Sequence, residues 1–122
     1  MATYPLKKFR LKGEEFKEVL KKGKSFRVDG LVLKLMIKEN GKRFGFLISK
    51  KLVKKAVQRN KLKRRLREIL RERVENLKDG IRAIFIPLAG LEKKSFQELK
   101  KIFEIILNKS KIIKYEPNRR NL

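Results

Sequence analysis

The segment Arg59-Asn60-Lys61-Leu62-Lys63-Arg64-Arg65-Leu66-Arg67 constrains this chain more than any other. Wound at about 100° per residue, it sets Asn60, Arg64, Arg67 and Arg71 in one stripe, with Lys63 on its edge. Leu62, Leu66, Ile69, Leu70 and Leu77 form a second stripe on a different side of the helix, the face that buries. One side of the helix must therefore dock on a core while another shows a row of guanidinium groups. Arg forks grip phosphate oxygens bidentately and stack on bases.

The surrounding charge sharpens this reading. Between Lys50 and Arg73 there are 12 Lys and Arg against two Glu. A solvated helix balances its charges in i,i+4 pairs, so this run points to a polyanion. The whole chain carries 36 Lys and Arg against 13 Asp and Glu, a net charge of +23. Self-repulsion on that scale opposes compaction, and nucleic acid is the first partner it suggests. A membrane is the weaker candidate. No apolar run approaches the roughly 20 residues that span a bilayer, and Met1-Ala2-Thr3-Tyr4-Pro5 lacks the apolar core of a signal peptide. The chain is read as cytoplasmic.

At 122 residues the expectation is a single RNA-binding domain over 1–122. Its compact core is placed at about 9–108, with a partly loose basic tail over 109–122. Leu11 to Lys22 reads as a helix with Phe16, Val19 and Leu20 inward, Glu14 and Glu15 in its first turn, and Gly23 as its stop. Lys24 to Val28 and Leu31 to Lys38 read as strands around an Asp29-Gly30 turn. Asn40-Gly41 signals a second hairpin, returning through Lys42 to Ser49. The basic helix follows over about 56–77, then a strand from Ile81 to Ile86. Ser95 and Glu98 form a capping box for a last helix, with Phe96, Leu99, Phe103 and Ile106 inward. The order α-β-β-β-α-β-α implies an α+β sandwich with helices against a mixed sheet.

Catalytic chemistry by the protein alone finds little support. There is no His and no Cys, which removes transition-metal sites and the nucleophile–base pairs that depend on them. Glu68, Glu72 and Glu75 share a face with Lys61 and Arg65, with which they are expected to pair. The other acids are scattered among Lys and Arg, unlike the clustered carboxylates that hold Mg²⁺ in protein nucleases.

Arg59, Asn60, Lys63, Arg64 and Arg67 fill the pattern Arg-Asn-x-x-Lys-Arg-x-x-Arg, which resembles the signature of the bacterial ribonuclease P protein subunit. Three further stretches are similar to that family in order: Phe16 to Ser25, Arg43 to Lys51, and Ala56-Val57-Gln58 leading into the motif. The resemblance covers about 9–108 and implies a left-handed βαβ crossover, against the general right-handed rule. It implies that a catalytic RNA does the chemistry and that no catalytic residue lies on the protein. It places Arg59, Asn60, Lys63, Arg64, Arg67 and Arg71 against that RNA, and Phe16, Leu20, Lys34 and Phe46 in a cleft for the 5′ leader of precursor tRNA. Mg²⁺ is then held mainly by RNA, with no metal site on the protein.

The chain departs from the family in four places. Leu52-Val53-Lys54-Lys55 carries no Gly in a loop where the family has one. Leu20 and Lys34 stand where aromatics are usual, and Leu88 where a basic residue is common. Leader contacts are thus expected to use less stacking and more charge. Rival readings are a ribosomal or assembly-type RNA-binding protein, a duplex-DNA binder, and a protein-only nuclease.

Overall fold

The computed structural model describes residues 6–114. It has helices α1 (Gly13–Lys22), α2 (Ala56–Arg71) and α3 (Phe96–Lys109), and strands β1 (Lys24–Val28), β2 (Leu31–Ile37), β3 (Arg43–Phe46) and β4 (Ile81–Pro87). Short 3-10 turns lie at Leu6–Phe9, Val74–Asn76 and Leu91–Lys93.

The strand order across the sheet is β1-β2-β4-β3. β1 and β2 are the expected hairpin, turned at Asp29 with φ of 49°. The second expected hairpin does not form. β4 runs antiparallel to β2, and β3 lies parallel to β4 on its far side, with Gly45 opposite Ile84. β4 explains the exchange. It is buried along nearly all its length on both faces, as befits a central strand. β3 has four residues, one of them Gly, and takes the edge. The Asn40-Gly41 turn instead passes the start of β4, where both carbonyls accept from the Arg82 guanidinium.

Alternation along the strands separates two faces. Leu31, Leu33 and Leu35, with Phe44, Ala83 and Phe85, pack under α2 and α3. There Leu62, Leu66, Ile69 and Leu70 of α2 meet Leu99, Ile102, Phe103 and Ile106 of α3. Burying each such side chain is worth about 1.5–3 kcal/mol. Ile37 continues the inward row but is 62% exposed, at the end of β2. On the other face Leu11, Val19 and Ile84 form a smaller core under α1, with Phe16, Leu20, Met36 and Ile86 against it. The architecture is three layers: α1, sheet, then α2 with α3.

Element ends differ from expectation where polar contacts decide them. α1 starts at Gly13, because Lys12 is extended and Leu11 donates its N–H to the Phe44 carbonyl at 2.8 Å. α2 ends at Arg71, short of Leu77, and the chain tightens to a 3-10 turn. Arg73 donates from Nη1 to the Ile69 carbonyl at 2.8 Å and pairs with Glu104 on α3. Leu77 is buried nonetheless, bridged to Ile113. The capping box at Ser95 and Glu98 is formed. Past α3, Ile112 is buried and the Lys114 N–H reaches the Asn76 carbonyl at 2.8 Å, so this part of the expected tail is docked. The rest of that tail lies outside the described residues.

Candidate nucleic-acid interface

β3 is an edge strand whose outer side is partly taken by the incoming chain. Arg10 forms a parallel bridge to Phe44, and Leu11 follows it. This lays the approach to α1 along one side of β3. β4 takes the other, and α2 packs over the sheet face that carries Phe44, presenting Lys63, Arg67 and Arg71 at four-residue intervals. Between the approach and α2 lies a groove of about 590 Å³. Phe44, Gly45 and Phe46 line it from β3, Phe16 from α1, and Arg10 and Lys12 from the approach. Phe46 stacks at 5.8 Å on Phe85, which stacks at 4.6 Å on Phe103, so its ring is braced by the core.

All the charged residues lining this groove are cations. Lys63 is half-buried, and its ammonium pKa is pushed below the usual 10.5, chiefly by burial and then by Arg67 and Arg10. Arg71 is held by Glu68, 3.2 Å away. Crowded, partly desolvated cations beside aromatic rings suit a phosphate backbone with unstacked bases. They do not suit Mg²⁺, which takes oxygen ligands. Among the described residues no group of three or more His, Cys, Asp or Glu is placed to hold a metal. The acids along and just past α2 pair differently from expectation: Glu68 with Arg71, and Glu72 with Arg73 at 3.9 Å, while Arg65 donates to the Lys94 carbonyl at 3.4 Å.

The residues singled out by sequence divide into groups. Phe16, Phe46, Lys63, Arg67 and Arg71 meet at the groove. Asn60 and Arg64 are exposed on α2 outside it. Arg59 Nη1 donates to the carbonyls of Val53 and Lys54 at 2.9 and 2.8 Å. It thereby braces the loop without Gly, in which Val53 is buried. Leu20 and Lys34 do not line the groove; both are half-buried on the α1 side, Lys34 opposite Ile84 in the sheet. Arg10, Lys12 and Gly45 were not singled out. Phe-Gly-Phe in a short strand was a signal for Gly45, whereas nothing local marks Arg10 or Lys12. No helix among the described residues is long and apolar enough to cross a membrane.

Comparison with known proteins gives the family and the fold. The family described as Ribonuclease P matches residues 6–111. The ribonuclease P protein component of a Pseudanabaena species is 37% identical over 102 residues, which is 82% of this chain and 88% of that protein. That of Syntrophomonas wolfei is 34% identical over 117 residues, 93% of this chain and 96% of that protein. Among solved structures, the RNase P protein of Staphylococcus aureus superposes with a TM-score of 0.77 at 26% identity, covering 86% of this chain and 97% of that one. The RNase P protein of Thermotoga maritima does so with a TM-score of 0.72 at 27% identity, covering 82% and 96%. The chain belongs to the ribonuclease P protein family.

Proposed function

We propose that this tRNA-processing subunit binds a catalytic ribonuclease P RNA through α2 and holds the 5′ leader of precursor tRNA in the groove beside it. Leader removal, which creates the mature tRNA 5′ end, is then carried out by the RNA. The observation that carries the reading is the groove itself, where Lys63, Arg67 and Arg71 share one lining with Phe16 and Phe46 at the edge strand. Cations there offset phosphate repulsion between leader and catalytic RNA, which lowers the Mg²⁺ the complex requires; the metal stays with the RNA. Asn60 and Arg64, exposed on α2, contact the catalytic RNA, and Arg59 supports them through the loop it braces. Leu20 and Lys34 continue the leader path over the α1 side of the sheet. By resemblance to the family, the complex works in the cytoplasm and the β3–α2–β4 crossover is left-handed.

The test is the affinity of the reconstituted protein–RNA complex for precursor tRNA with a leader and for the leaderless tRNA. A stacked base contributes about 1–3 kcal/mol, so the leader should tighten binding by at least about 5-fold. Equal affinities would overturn the leader assignment.

A further inference from the structure

Arg82 sits in the central strand and is 8% exposed, an unusual place for a guanidinium. A buried charge needs partners on each side. Arg82 Nη2 donates to the Asn40 carbonyl at 3.1 Å, and Nη1 to the Ile81 carbonyl at 3.2 Å and to that of Gly41. Nε lies 3.0 Å from Glu15 Oε2, in an ion pair that is not aligned as a hydrogen bond. Arg43 is its cross-strand neighbour in register, a like-charge pairing that is unfavourable in a sheet.

Glu15 directly precedes Phe16 in the first turn of α1. That turn is weakly fixed by its own sequence: Lys12 at the cap position makes no side-chain cap bond, and Gly13 has φ of 64°. The second polar anchor of α1, Lys38 to Glu18 at 2.9 Å, lies one turn further on. We propose that Arg82, acting through Glu15, is a positioning residue that sets the Phe16 ring over Gly45 and so tunes the grip on the single-stranded leader. This rests on the leader reading above. This pair has one partner buried and the other half-exposed, a setting in which net stability is small, and in some proteins such pairs are kept because they fix geometry. The β2–β3 turn, held by the same guanidinium, is thereby joined to the groove.

Substitution of Arg82 itself risks the fold, so the test uses E15Q, which keeps size and polarity at a half-exposed position. Affinities for precursor with leader and for leaderless tRNA are measured on the reconstituted complex for the wild type, E15Q, F16A and the double variant. E15Q should lower the leader-dependent gain by at least about 2-fold, the low end of coupling within one network. It should leave leaderless affinity unchanged and cost nothing further in F16A. Full retention of the gain, or an equal loss in the F16A background, would overturn the proposal. NMR of the free protein keeps it separate from the leader reading. The Gly45 resonances feel the Phe16 ring current, and E15Q should move them toward their F16A positions. Unmoved resonances would overturn the positioning role. A wild type without any leader-dependent gain would overturn the leader reading, and with it the functional part of the proposal.

Discussion

The Phe16 ring lies against the backbone of Gly45, so closely that a β-carbon at 45 would stand 2.7 Å from Phe16 Cε2 and 3.1 Å from Cδ2. This contact joins α1 to the edge strand and brings an aromatic ring to the groove that the cations of α2 also line. The strand carries Phe44 and Phe46 toward the larger core and leaves a bare backbone between them for a third ring.

G45A should therefore be costly for a steric reason. Overpacking of this kind costs about 1–3 kcal/mol. Denaturant unfolding should show that loss in the wild-type background and much less of it in F16A. An equal loss in both backgrounds would mean that the ring is not what the added carbon meets.

G80A should cost more, with no side chain able to relieve it. Gly80 has φ of 81°, and a β-carbon there would lie 2.4 Å from the Lys38 carbonyl oxygen. Left-handed strain alone is about 1–3 kcal/mol, and a backbone clash adds to it. The fall in unfolding midpoint should exceed that of G45A.

R67A and R64A separate phosphate binding from general charge. Each should weaken RNA binding and reduce the slope of log affinity against log salt by about 0.7–0.9 for every phosphate left without its cation. R67A should also lower the leader-dependent gain, because Arg67 lines the groove, whereas R64A should not. An unchanged slope would mean that the residue neutralises no phosphate.

Lys63 gives a pH signature. Its pKa in the folded protein lies below the usual 10.5, so the folded state holds that proton less tightly than the unfolded state does. The penalty is present in full at neutral pH and is relieved as pH rises through the lowered value toward 10.5. Comparing K63M with the wild type should show a stability contribution from Lys63 that grows with pH in that alkaline window. RNA phosphates favour the charged form, so in the same window the wild-type advantage in RNA affinity should shrink as pH rises. A difference that stays flat with pH would contradict the assigned environment.

Much of the fold was legible because its causes are local. The capping box at Ser95 and Glu98 is written within four residues, and the buried stripe of α2 is a matter of helical spacing. The position of β3 was not legible. Asn40-Gly41 suits a hairpin equally well, and the outcome is decided by β4, whose burial on both faces claims the place beside β2. Part of the groove was hidden for a similar reason. Arg10 and Lys12 are basic residues in a basic chain until the bridge to Phe44 carries them to the edge strand. Arg59 shows a third limit: a guanidinium suited to phosphate oxygens is equally suited to the Val53 and Lys54 carbonyls.

The most direct test of the proposed function is cleavage of precursor tRNA by a bacterial ribonuclease P RNA at limiting Mg²⁺, with and without this protein, on substrates with a long leader and with a single leader nucleotide. A leader-binding subunit requires a large gain with protein, greater on the long leader, and no cleavage by protein alone. Tight RNA binding with no gain on either substrate, including with the cognate RNA, would contradict it and leave a structural RNA-binding protein in its place.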